Sequence, residues 1–229
     1  MADPNPRLSV VIPVYNEKNT VLTILKLVQK VAIPKEIIVI DNCSTDGTRE
    51  ILQRDANGID RLILQPKNRG KGASIRAAIP YLQGEFMMIQ DGDLEYDPQD
   101  FHLILETADK NNADAVYGSR IMHGINTHYN SYYAGVMFLT LVTNVLFGAT
   151  MTDVATTYKC VRTSVLKKLK LNCSGFDLDF ELTNKLLRSG VNIIEVPIFY
   201  KPRTFDEGKK IRTVDGIKGL FVILRDRVI

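Results

Sequence analysis

The sequence predicts an α/β fold, a mostly parallel central sheet flanked by helices, with an amphipathic helical tail at the C-terminus. Short continuous apolar runs such as Val10-Val11-Ile12 and Ile37-Ile38-Val39-Ile40 have the length of strands buried on both faces. Between such runs lie segments with apolar residues at helical spacing, and strands that alternate with helices build parallel sheets. Polar residues gather at 15–17, 41–46, 91–95 and 119–120, each time just after a predicted strand. Ligands of open α/β sheets bind beyond the carboxyl ends of the strands, so these four clusters are expected to meet in one site.

Taken in order, Leu8-Ser9-Val10-Val11-Ile12-Pro13 reads as the first strand, expected to stop at Pro13 because proline donates nothing to a ladder. Val21, Leu22, Leu25 and Val28 follow at helical spacing behind Asn19 and Thr20, both candidate caps. Residues 36–40 form a second strand ending at Asp41, and the polar turn 42–48 leads into a helix through Ala56. A third strand is expected over 61–65, a basic loop over 66–72, and a helix to Leu82 closed by Gly84. Strands over 85–90 and 113–117 enclose a helix over 98–111, and the sheet resumes within 156–162 and 192–200. Residues 132–149 are nearly uncharged and about as long as a minimal membrane span. Thr140, Thr143 and Asn144 interrupt that run, and the sheet must continue after it, which favours an interfacial or core-capping helix. The last segment sets Ile217, Leu220, Phe221, Leu224 and Val228 at helical spacing beside Lys218, Arg225 and Arg227. A basic amphipathic helix of this kind either lies on an anionic membrane surface or packs on the core. The chain is therefore expected to divide into a main α/β domain over 1–205 and a basic tail over 206–229.

With 229 residues, 45% hydrophobic and 24% charged, the chain has an ordinary globular composition rather than a disordered one. Its net charge of +3 is too small to argue for nucleic acid as a partner. Cys43, Cys160 and Cys173 are odd in number and far apart, which excludes a zinc site or disulfide framework by spacing and suits a reducing cytosol. Residues 1–7 do not lead a basic segment into an apolar run, so no signal peptide is expected.

The chemistry concentrates in Met87-Met88-Ile89-Gln90-Asp91-Gly92-Asp93-Leu94-Glu95, a strand that ends in acids at alternate positions. In extended backbone Asp91 and Asp93 point to one side and can share a divalent cation, with Glu95 as a third oxygen ligand. Hard oxygen donors suit Mg²⁺ or Mn²⁺ that also holds a phosphate. The bland alternative is a turn, since Asp and Gly are common turn formers. After the first strand stands Pro-Val-Tyr-Asn-Glu rather than Gly-x-Gly-x-x-Gly, which argues against a dinucleotide dehydrogenase, and Gly70-Lys71-Gly72 lacks the spacing of a phosphate-binding P-loop.

Val-Ile-Pro-Val-Tyr-Asn-Glu at 11–17, Ile-Asp-Asn-Cys-Ser-Thr-Asp-Gly-Thr at 40–48, Asn-Arg-Gly-Lys-Gly at 68–72, Gln-Asp-Gly-Asp-Leu-Glu-Tyr-Asp-Pro at 90–98 and Gly-Ser-Arg at 118–120 together resemble family 2 glycosyltransferases. Within that family the chain looks like the polyprenyl-phosphate branch of dolichyl-phosphate mannose and glucose synthases. Thr152-Asp153, Tyr158 to Arg162, Gly175-Phe176-Asp177 and Pro202 to Lys210 carry this finer likeness. The resemblance implies the Rossmann-like GT-A fold, and it covers roughly residues 8 to 215. It implies that Pro13, Tyr15, Glu17 and Asp41 bind the base and ribose of a nucleotide-sugar donor, with Lys71 also on the donor side. Asp91, Asp93 and Glu95 would hold Mg²⁺ or Mn²⁺ on its diphosphate, and Arg203 and Lys209 would close over it. The loop at 68–72 leans toward a UDP-sugar over GDP-mannose.

The implied acceptor is a polyprenyl phosphate at the cytoplasmic membrane surface, which places the protein peripherally on the cytoplasmic face and leaves a homo-oligomer open. A phosphate monoester has its second ionisation at about 6 and attacks an anomeric carbon without a base. The site must then hold two anions close together, for which Arg120 and Arg162 are the acceptor-side cations and Asp153 a companion residue. A hydroxyl acceptor would instead need a general base, for which Asp177, Asp179 and Glu181 are candidates unless they only complement a helix dipole. A non-catalytic module that binds nucleotide sugars is the third reading.

Overall fold

The computed structural model describes residues 6–55, 57–122, 130–203, 208, 210 and 212–228. Its centre is a seven-stranded sheet in the order β3-β2-β1-β4-β6-β5-β7. The strands are β1 (Leu8–Val14), β2 (Lys35–Asp41), β3 (Arg61–Leu64), β4 (Phe86–Ile89), β5 (Ala115–Ser119), β6 (Lys159–Arg162) and β7 (Ile193–Pro197). β6 runs antiparallel to both its neighbours, while the other pairs are parallel. The helices are α1 (Val21–Lys30), α2 (Thr48–Arg54), α3 (Lys71–Ala78), α4 (Asp100–Asn111), α5 (Asn130–Phe147), α6 (Thr163–Leu166), α7 (Leu178–Arg188) and α8 (Thr213–Val228).

Alternation along the buried strands divides the core into two. Val10, Ile12, Ile37 and Val39 face a layer that includes α1 and α4, while Val11, Ile38 and Ile40 face one that includes α3, α7 and α8. The period-two geometry of strands produces this two-sided core, and it explains why these strands read as unbroken apolar runs.

Pro13 does not end β1. The partner β4 pairs only as far as Val11 with Ile89, while β2 follows β1 to Val14 with Asp41. Val11 accepts from Gln90 on the β4 side and Val14 accepts from Asn42 on the β2 side, so Pro13 faces the side where β4 has already ended. Its missing N–H therefore costs no ladder bond. Thr20 does not cap α1 by its side chain; its hydroxyl donates to Glu17 and to the Gly92 carbonyl, joining two loops. Gly84 is needed for close approach rather than as a helix stop, since a Cβ there would stand 2.4 Å from the Ser9 nitrogen. The expected end of the second helix, Ala56, lies outside the described residues.

No helix among the described residues is long and apolar enough to cross a membrane. α5 instead caps the second core: Val136, Leu139 and Thr143 are buried, while Phe138, Leu141 and Val145 are exposed. α8 behaves alike, with Gly219, Val222 and Ile223 buried and Ile217, Phe221 and Leu224 exposed. Its closest seat is α7, where a Cβ on Gly219 would lie 2.5 Å from the Phe180 ring. Gly219→Ala is therefore expected to destabilise the fold by about 1–3 kcal/mol through overpacking. Gly216→Ala, where a Cβ meets nothing within 4 Å, should stabilise the same helix by up to about 1 kcal/mol. Urea unfolding of the two variants checks the pair.

Candidate active site

The loops at the carboxyl ends of the parallel strands enclose a cavity of about 910 Å³. Pro13, Tyr15, Glu17, Lys71, Asp91, Asp93, Glu95, Arg120, Asp179 and Arg203 all line it. These side chains come from six separate stretches of the chain, gathered because each follows or faces a strand end.

Glu17, Asp91, Asp93, Glu95 and Asp179 all bring carboxylates to this space, and the chain sets its own cations against them. The Lys71 ammonium lies 2.7 Å from an Asp91 oxygen and donates to the Thr157 hydroxyl at 2.8 Å. The Arg203 guanidinium lies 2.5 Å from Asp93 and 3.1 Å from Glu17. Lys210 donates to the Tyr15 carbonyl at 2.6 Å and also pairs with Glu17. Burial, then the negative charges of Asp91 and Glu95, push the Asp93 carboxyl up to about 7 despite Arg203. Burial works against the Lys71 ammonium, but Asp91 and Asp179 outweigh it and hold its pKa above the ordinary lysine value.

Lys71 reaches this place because of the glycines on either side. A Cβ on Gly70, whose φ is +89°, would stand 2.3 Å from the Ser174 carbonyl oxygen, and one on Gly72 would be 2.8 Å from that of Gly175. The backbones meet so closely that the Gly72 and Ala73 amides donate to the Gly175 and Ser174 carbonyls. What reads in sequence as a basic loop is thus the start of α3, stitched to the loop before α7.

Several expected site residues fall elsewhere. Glu95 lines the cavity, but one of its oxygens accepts from the Tyr200 hydroxyl at 2.8 Å and the other from the Arg203 amide at 2.8 Å. Among the described residues no group of three or more His, Cys, Asp or Glu is arranged to hold a metal ion. Asp91, Asp93 and Glu95 all line the cavity, and Asp91 and Asp93 carry oxygens of the kind Mg²⁺ or Mn²⁺ takes. Asp41 is fully buried behind the wall, its carboxylate 2.6 Å from the Arg49 Nε and accepting from the Ser44 amide. Arg162 is at the opposite end of the sheet's strands, in register with Phe86 at the start of β4, and pairs with Asp114 and Glu85. Lys209 lies outside the described residues.

Arg120 does line the cavity, and Asp153 is what holds it. Two parallel bonds of 2.7 Å join the guanidinium to the Asp153 carboxylate, which is itself inaccessible to solvent. Glu195 on β7 accepts the amides of Thr152 and Asp153, fixing the loop that carries this carboxylate. Of the three acids at the start of α7, Asp177 accepts the Gly175 amide and Glu181 accepts the Asn172 and Cys173 amides while pairing with Lys185. Asp179 alone of the three lines the cavity. Sequence spacing had no means to separate them, because all lie within one helical turn.

The model of glycosyl transferase family 2 matches residues 9–170. Polyprenol monophosphomannose synthase of Mycolicibacterium smegmatis is 26% identical over 218 residues, covering 90% of this chain and 82% of that protein. A low-salt glycan biosynthesis hexosyltransferase of Haloferax volcanii is 27% identical over 210 residues, covering 88% of this chain but 49% of its own length. Glucosyl-3-phosphoglycerate synthase from Mycobacterium tuberculosis, solved with Mn²⁺, uridine diphosphate and glucosyl-3-phosphoglycerate, aligns with a TM-score of 0.71. That alignment covers 98% of this chain and 81% of the other at 17% identity, a likeness of fold, which is GT-A-like.

The Arg120–Asp153 pair carries a stability consequence. Asp153→Ala leaves a guanidinium buried without its main partner and is expected to cost about 3–5 kcal/mol. Arg162→Ala, which removes only partly exposed pairs, should cost about 1 kcal/mol or less. Chemical denaturation of both variants compares them directly.

Proposed function

Because the chain belongs to glycosyl transferase family 2, we propose that it is a metal-dependent inverting enzyme that moves one sugar from a nucleotide donor, a UDP-sugar or GDP-mannose, to a polyprenyl phosphate. The observation that carries this reading is the division of charge in one cavity: paired carboxylates Asp91 and Asp93 with Lys71 and Arg203 against them, and Arg120 as a further cation. The polyprenol monophosphomannose synthase relative supports the acceptor class.

In this reading Pro13, Tyr15 and Glu17 receive the base and ribose, and Asp41 shapes the wall behind them through Arg49 instead of touching the donor. Asp91 and Asp93 fit Mg²⁺ or Mn²⁺ by donor chemistry, and Asp93, held up near neutrality by crowded negative charge, is the group a cation would relieve. Such an ion would neutralise charge on the departing diphosphate. Lys71 and Arg203 bring positive charge to the same leaving group, and Lys209 is proposed to do so as well. Glu95 fixes the segment carrying Arg203 through its amide. Arg120, oriented by Asp153, steadies the acceptor phosphate; Arg162, at the far end of the strands, takes no part. The acceptor arrives already anionic and needs no base.

A second reading, transfer to a saccharide hydroxyl, draws support from Asp179, the one early α7 acid that faces the cavity. Peripheral binding at a membrane, through the 206–229 segment and α5, is supported by the exposed apolar residues of α5 and α8 beside Lys218 and Arg227.

Transfer from UDP-glucose or GDP-mannose to polyprenyl phosphate in the presence of Mn²⁺ tests the reaction. Asp91→Asn and Asp93→Asn should each lower it roughly a hundredfold or more, and chelation should abolish it. Transfer to saccharide hydroxyls but not to lipid phosphate would favour the second reading. Since the Asp93 carboxyl sits at about 7, a cation competes with a proton below that value, so Mn²⁺ affinity should rise between about pH 6 and 8 and then level off. Calorimetric titration across that range reads it. Flotation with anionic liposomes should recover the wild-type protein and lose most of a Phe138→Asp, Phe221→Asp double variant.

A further inference from the structure

Asp179 is 6% exposed, and its Oδ1 has no hydrogen-bond partner. A buried carboxylate oxygen left without a donor is uncommon, because losing water without replacing it is costly. Here the oxygen belongs to a residue that lines the cavity alongside Lys71, Asp91, Arg120, Thr157 and Phe176. Asp177 and Glu181, on the same turn, have their carboxylates engaged by backbone amides. The missing donor is therefore expected from whatever enters the cavity.

We propose that Asp179 anchors the transferred sugar by accepting hydrogen bonds from its ring hydroxyls, and so selects which sugar is accepted. The inference rests on the reading above and deepens it. The charges of Lys71, Lys159, Asp91 and Arg120 all act on the Asp179 carboxylate, and Lys71, Asp91 and Arg120 line the same cavity, so it shares that cavity with both the proposed diphosphate-side and acceptor-side groups. The group that has to lie between those two anions is the sugar itself. A carboxylate repels either phosphate but matches hydroxyl donors, and it can accept from two neighbouring ones. A phosphate acceptor requires no base, which leaves this acid free for binding.

The experiment measures affinity by calorimetry with Mn²⁺ present, for UDP and UDP-glucose and in parallel for GDP and GDP-mannose. Wild type is compared with D179N, which keeps the side-chain shape. For the pair that wild type binds, D179N should hold the nucleoside diphosphate within about twofold yet bind the sugar nucleotide about 10- to 100-fold more weakly. Sugar nucleotides lacking one hydroxyl each, tested on wild type, provide a readout free of any substitution. One of them should reproduce the loss and lose nothing further on D179N. Equal weakening of diphosphate and sugar nucleotide would overturn the proposal in favour of a structural role. So would intact binding with collapsed turnover and a lost acidic limb in the pH profile, the signature of a general base. Wild type that binds neither UDP nor GDP would overturn the donor reading itself, and this inference with it.

Discussion

Carboxylates crowded into one cavity are the constraint on which the structure turns. Glu17, Asp91, Asp93 and Glu95 come from loops that the parallel sheet necessarily brings together at one end. Like charges so close together, away from bulk water, would oppose folding unless cations met them. The elevated Asp93 carboxyl is the residue of that tension left after Arg203 has been placed against it.

The balancing cations come from far along the chain, and this ties distant elements to the site. Arg203 follows β7 and Lys210 precedes α8, so the same charges that meet the cavity carboxylates tie two positions late in the chain to the site. Lys71 depends on a different device, the two glycines that let the start of α3 touch the loop before α7. That contact also sets Asp179 near Lys71. Site and scaffold are therefore one problem: the backbone approach that orders α3 and α7 also delivers the charges that the proposed chemistry uses.

The α5 and α8 helices show how one pattern serves two surfaces. In each, one stripe closes the second core and another is left facing outward, so the alternatives of core packing and surface exposure are not exclusive. Periodicity reports the width of an apolar stripe but not how much of it a neighbour covers.

The sequence alone determined the strand and helix order, the sheet end at which the polar clusters meet, and the prominence of Asp91 and Asp93, because these follow from local period and chain direction. It also determined family membership, through motifs whose order is more specific than any one of them. Only the tertiary structure decided that Pro13 continues β1, that β6 is antiparallel, and that Arg162 lies at the far end of the strands while Arg120 lines the cavity. It alone separated Asp179 from Asp177 and Glu181, and Glu95 from the other two strand-end acids. The physical reason is common to all of these: a side chain's role depends on which partner reaches it first, and those partners are supplied by segments remote in sequence.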